Sequence, residues 1–106
     1  MLVATQRRLL QDALALTRDM LELAQREQWE ALPDMETRRQ ELIRVALATP
    51  VAMEDRAQVS EGLSEILRLH GEVMALAVSA QRALGERLAG VYRGRRAQLA
   101  YANAVR

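Results

Sequence analysis

Cysteine is absent from the chain. That excludes a disulfide framework and any thiolate nucleophile or metal ligand. Lysine is absent too, since all fifteen basic residues are arginine. Schiff-base chemistry and a P-loop lysine are therefore excluded. There is no phenylalanine, and Trp29, Tyr92 and Tyr101 are the only aromatic residues. Two prolines, Pro33 and Pro50, and one histidine, His70, complete the sparse types. No apolar run approaches the roughly 18 residues of a transmembrane helix, and the N-terminus lacks a signal-peptide h-region. A cytosolic protein with no membrane partner is expected.

Half of the 106 residues are apolar. Ala, Leu, Arg, Glu and Gln dominate, all strong helix formers. The expectation is an all-α single domain over residues 1–106. It is read as an antiparallel bundle of three main helices, the third very long, plus a short mobile C-terminal helix. A chain of this length buries a modest core, about two-thirds of its unfolded surface.

The first helix is expected at about 5–26. Leu9, Ala13, Leu16, Met20 and Leu23 form one row, and Leu10, Leu14, Leu21 and Ala24 a second. Two adjacent rows make a face wide enough for two neighbours. A turn follows within Glu27–Pro33, broken either at Glu27–Gln28 or just before Pro33. Trp29 would anchor it. The second helix is expected at about 30–47 with Pro33 in its first turn, where a missing N–H costs nothing. Leu32, Met35, Leu42, Ile43, Ala46 and Leu47 form its apolar face. Arg39 interrupts that face, its stem along the core and its head in water. Thr49 is read as the cap of the third helix, with Pro50 at its first position.

The third helix is expected at about 53–93. Its stripe runs Val59, Leu63, Ile66, His70, Val73, Ala77, Ala80, Leu84, Leu88 and Val91, at steps of three and four. At 1.5 Å per residue it would span roughly 60 Å. So short a chain cannot cover all of that, and the surplus apolar surface is the main functional clue. Residues 73–81 carry no charge. Leu69 and Leu76 lie on one shoulder of the stripe, and Leu67, Met74 and Val78 on the other. Two readings stand together: a central helix touching two neighbours, and a groove for a partner helix. Small residues admit a close helix, and methionine adapts to varied partners. Gly85, Gly90 and Gly94 each cost a helix interior about 1 kcal/mol relative to Ala. A fray or bend is expected there, with a short last helix at about 95–104.

Charge is uneven. Residues 1–81 hold nine arginines against thirteen acidic residues, a net −4, and residues 82–106 hold six arginines against Glu86 alone, a net +5. A nucleic-acid surface needs more charge and a groove-reading element. Catalysis is the weakest reading, because His70 has no nucleophile partner and no Glu at bundle-metal spacing. No enzyme activity, cofactor or metal is expected.

Residues Met20-Leu21-Glu22-Leu23-Ala24-Gln25-Arg26-Glu27-Gln28-Trp29-Glu30-Ala31-Leu32 resemble the end of the first helix and the following turn of the FliT family of flagellar type III export chaperones. Glu36-Thr37-Arg38-Arg39-Gln40-Glu41-Leu42-Ile43 is similar to that family's second helix. Thr49-Pro50, Glu72 with Gln81-Arg82, and Ala100-Tyr101-Ala102-Asn103-Ala104 also fit, so the likeness covers nearly the whole chain. Glu27 stands where a glycine often ends the first helix, and the chain stops soon after its last helix.

The resemblance implies a cytosolic chaperone that binds the filament-cap protein FliD, keeps it unpolymerised and helps deliver it to the export apparatus. It also implies contacts with export ATPase complex subunits and, in some lineages, with the flagellar master regulator. The expected partner-binding residues are Leu69, Met74, Leu76, Val78, Leu84 and Leu88. The last helix, through Arg95, Arg96, Leu99, Tyr101 and Val105, would act as a latch over that surface. A monomer or weak homodimer is expected, with no direct nucleic-acid contact. The runner-up is a structural coiled-coil or helical-hairpin subunit of an export apparatus. A basic-tailed nucleic-acid-binding regulator comes third, distinguishable by steep salt dependence.

Overall fold

Helix α1 spans Ala4–Gln25, α2 spans Leu32–Leu47 and α3 spans Arg56–Val105, with one turn of 3-10 helix at Met53–Asp55 before α3. This computed structural model describes residues 4–105, with the side chain of Val105 outside that set. The described residues contain helices and no strand, in line with the all-α expectation.

Two units divide the chain, Met1–Leu76 and Ala77–Arg106. In the first, three helical segments alternate in direction. Gln6 near the start of α1 reaches the carbonyls of Ala46 and Thr49 at the end of α2. Met20 and Ala24 near the end of α1 form a cluster with Val73 of α3, against which Leu32 and Met35 of α2 and Trp29 of the turn pack. The α1–α2 and α2–α3 pairs are therefore antiparallel, as short connections require.

The centre of the α1 face differs from its sequence pattern. The buried residues are Gln6, Ala13, Thr17, Met20 and Ala24, while the leucine rows on either side are half-buried. Small side chains at the centre let the helices approach, and the leucines close the seam from both edges. Thr17 Oγ1 donates to the Ala13 carbonyl at 2.7 Å, so its hydroxyl is satisfied within its own helix. Gln6 Nε2 donates to two carbonyls, at 2.9 and 3.0 Å. The Ala46 carbonyl is among the last four of α2, which have no partner inside the helix.

The first turn resolves the open choice in favour of an early break. Glu27 has φ 59°. Gln28 N donates to Leu23 O at 2.9 Å and Glu27 N to Ala24 O at 3.1 Å. That pair of bonds is a Schellman motif with Glu27 at the left-handed position, where glycine is usual. A residue with a Cβ is disfavoured in that conformation by about 1–2 kcal/mol. Glu27→Gly is therefore expected to stabilise the protein by about 0.5–1 kcal/mol after the glycine's extra unfolded-state freedom is subtracted. A urea melt reads this directly, and an unchanged or lower midpoint would contradict it.

Helix α2 carries Pro33 in its first turn as expected, with Ala31 before it and no side-chain cap. The second connection departs from expectation. Ala52, with ψ 149°, precedes the 3-10 turn and α3 begins at Arg56, so Thr49 and Pro50 lie in the loop and do not cap α3. The Thr49 carbonyl is held instead by Gln6 across on α1.

The expected break near the glycines is also absent. Helix α3 continues through Gly85, Gly90 and Gly94 to Val105, so the short last helix is the end of α3 and no separate element. Glycine lowers helix propensity without removing the backbone N–H, and no proline lies between residues 51 and 106 to end the ladder.

Exposed ion pairs line the outer faces. Arg26 meets Glu22 at 2.7 Å, and Arg68 reaches both Glu65 and Glu72. The hydrogen-bonded Arg68 guanidinium holds the Glu65 carboxyl below the usual carboxylate range. Any stability this adds is present above the unfolded-state value and fades as pH falls through the folded one. Solvent screening keeps it small.

Candidate partner-binding surface

In the first unit, Val59, Ile66, Leu69 and Val73 of α3 are buried and face the other helices. Leu69 was expected to contact a partner. It is 5% exposed and belongs to the core, because the buried face is centred between the 66–73 line and the Leu69 shoulder. Leu76 is half-buried against the Met20–Ala24–Val73 cluster, leaving only part of its side chain accessible. Met74 is exposed as expected. Leu67, which the sequence placed on the same shoulder but not in the site, is 69% exposed. It lines an open groove with Val51, Arg56, Val59, Ser60, Leu63 and Ser64.

His70 sits on the same stripe, and its ring is half-buried. Its Nδ1 lies 3.1 Å from Arg39 Nη2 and 3.8 Å from Glu36 Oε2. Arg39 is itself buried, at 5% exposure, paired with Glu36 and with Nη1 3.9 Å from Met20 Sδ. The head of Arg39 is thus inside the bundle and not in water, contrary to expectation. Among the described residues no group of three His, Cys, Asp or Glu is placed to hold a metal ion.

The second unit is a stretch of α3 with no other helix in it. Val78, Leu84, Leu88, Val91, Tyr92 and Leu99 are all exposed there. Leu84, Leu88 and Val91 fall on successive turns of one helix face, and Arg95 and Leu99 continue it. An amphipathic helix with its apolar face in water marks a surface made for a partner. The four expected latch residues that the structure describes, Arg95, Arg96, Leu99 and Tyr101, are exposed on this same helix, and the Val105 side chain lies outside the described residues. While the helix is unbroken, Leu99 cannot fold back over Leu84 or Leu88. The structure therefore shows an extension of the apolar face where a cover was expected.

A family model described as flagellar protein FliT matches residues 7–103. The chain belongs to the FliT family. FliT proteins are flagellar export chaperones, and an exposed apolar face is the equipment such a role needs. No curated protein and no solved structure matches the chain significantly. The FliT match spans both units, so the bare part of α3 belongs to the family's own pattern. No helix among the described residues is long and apolar enough to cross a membrane.

Proposed function

We propose that this FliT-family protein is a non-enzymatic cytosolic chaperone that binds the flagellar filament-cap protein FliD. It keeps FliD unpolymerised and hands it to the type III export apparatus. The observation that carries this reading is the exposed stripe of Leu84, Leu88 and Val91 on the second unit. Apolar side chains at helical spacing suit an amphipathic helix laid against them. Export ATPase complex subunits and the flagellar master regulator are further partners to which the same stripe would be offered.

The test is titration calorimetry of the full chain against the C-terminal region of FliD from the same organism. Saturable binding is expected, weakened more than about tenfold by Leu84→Asp or Leu88→Asp, since an unpaired charge in an apolar interface is costly. Both positions are exposed, so circular dichroism should show the parent helix content. His70→Gln should leave binding within a few fold. Absence of heat and of co-elution at high concentration would overturn the assignment of FliD. Binding that survives both Asp variants would remove the second unit from the site. Steep loss of a nucleic-acid complex with salt, in place of FliD binding, would support the regulator reading.

A further inference from the structure

The second unit, Ala77–Arg106, holds six arginines against Glu86 alone, a net +5. Among the described residues, Arg82, Arg87, Arg93, Arg95 and Arg96 make no ion pair. Arg95 differs from the others in position. Leu84, Leu88, Val91, Arg95 and Leu99 follow one another at steps of four, three, four and four, so Arg95 sits in the apolar line itself. Tyr92, Arg95, Arg96 and Leu99 line one open hollow on this helix.

Any helix laid along Leu84–Leu99 must also cover Arg95. An apolar residue opposite would strip water from the guanidinium and return nothing, and a desolvated charge without a partner is costly. A carboxylate opposite reverses the sign. Its two oxygens accept from the planar guanidinium fork, and such a pair is stronger where water is excluded. Arg96 and the Tyr92 hydroxyl border the same hollow and can donate to the remaining lone pairs. Apolar contacts lie on both sides of Arg95, at Val91 before it and Leu99 after it. The acid therefore lies inside the covering segment, which makes it an Asp or Glu side chain and not a chain terminus. Arg82, Arg87 and Arg93 favour further acidic residues on the flanks of that segment. A nucleic acid would use the arginines but leave the leucine stripe without a role.

We propose that the client segment is an acidic amphipathic helix whose apolar face carries one Asp or Glu, seated against Arg95, Arg96 and Tyr92. The proposal rests on the chaperone reading for the existence of a client, while the client's chemistry follows from the stripe alone. Arg95 is then the residue that determines specificity. A helix with the same apolar pattern and no acid at that position is rejected, because it would bury the guanidinium unpaired. The leucines supply contact area, and Arg95 fixes which helix is accepted and in which register, as a single polar residue does in a coiled-coil seam.

The test titrates the full chain with two synthetic helical peptides. Both carry leucines at steps of three and four; one has Glu at a single position of the leucine row and on the flanks, and the other has Gln at each of those places. The Glu peptide is expected to bind more than about tenfold tighter, as for a desolvated charge pair against a broken one. Arg95→Gln should abolish that preference, while Arg93→Gln, which removes the same charge from the opposite face of the helix, should keep it. Arg95→Leu decides between the two chemistries: it makes the stripe more apolar, yet it should weaken binding of the Glu peptide. Arg93 and Arg95 are exposed, so circular dichroism should show the parent helix content in all three variants. Equal binding of the two peptides, binding of neither, or an Arg95→Leu protein that takes the Glu peptide as tightly as the parent would overturn the proposal. So would a DNA duplex that displaces the Glu peptide and binds Leu88→Asp as well as the parent, since the arginines would then serve phosphates. FliD is absent from these arms. A preference for Glu without binding of FliD would leave the client's chemistry standing and remove only its assignment to FliD.

Discussion

Val73→Asp is expected to cost more than about 4 kcal/mol of stability, because the carboxylate would be placed among apolar side chains with no partner. Val73 is 4% exposed and clusters with Met20 and Ala24 of α1, with Trp29, Leu32, Met35 and Leu76 packed around them. Domains of this size have about 5–15 kcal/mol in total, so the variant should be largely unfolded well below the parent midpoint. Val78→Asp supplies the contrast. Val78 is 48% exposed, and the new charge would remain in water. Its effect should stay within about 0.5 kcal/mol, as for surface substitutions that touch nothing. Urea melts followed by circular dichroism separate the two. Equal midpoints for Val73→Asp and Val78→Asp would mean that α3 is not held to the bundle through Val73.

The five-residue step from Val73 to Val78 shows what side-chain spacing fixes and what it leaves open. Periodicity placed both side chains on α3 and put Val73 at the centre of the stripe, as the structure has it. The same periodicity put α1 and α2 within two residues of their observed ends, and Pro33 in the first turn of α2. These are local properties of one helix, set by side-chain spacing and by proline's missing N–H. Periodicity could not say how far along α3 the other helices reach. The stripe reads the same from Val59 to Val91, yet Val73 is buried and Leu84 is 53% exposed. The difference comes from the lengths of α1 and α2 and not from α3.

Three further misses share a cause. Gln6, Thr17 and Arg39 are polar residues in the core: a count of apolar positions passes over the first two, and for Arg39 it placed the stem along the core but the head in water. Each is buried because a specific acceptor meets it: a helix-end carbonyl for Gln6, the Ala13 carbonyl for Thr17, Glu36 and His70 for Arg39. Such partners lie on other helices or three to four residues back and leave no trace in the apolar pattern. Leu69 was misplaced because one helical step separates a shoulder from a centre. The glycines of α3 were overweighted: a propensity of about 1 kcal/mol each is a weak prior beside a run of good helix formers without proline.

Arg39→Ala is the second large expectation, a loss of about 2–4 kcal/mol. The side chain is 5% exposed, and its removal would leave a cavity where the stem now packs beside Met20. It would also strip His70 Nδ1 and Glu36 of a donor. For Arg39 Nη2 to donate at 3.1 Å, His70 must be neutral with its proton on Nε2. Glu36 is about one-third exposed and already accepts from Gln40 Nε2 at 3.0 Å, so it can turn towards water when the guanidinium goes. That places the loss below the 3–5 kcal/mol of a fully buried pair broken on one side. Arg39→Met tests the partition. It keeps the stem volume and removes the charge, and replacing a buried ionic group by a well-packed apolar one is often neutral. Its midpoint should lie within about 1.5 kcal/mol of the parent. If packing dominates, Met rescues most of what Ala loses. If the two substitutions cost the same, the guanidinium's bonds to Glu36 and His70 carry the energy, and α2 is fastened to α3 chiefly by charge. A milder Arg39→Ala than Arg39→Met would contradict both accounts and place the Arg39 side chain outside the bundle.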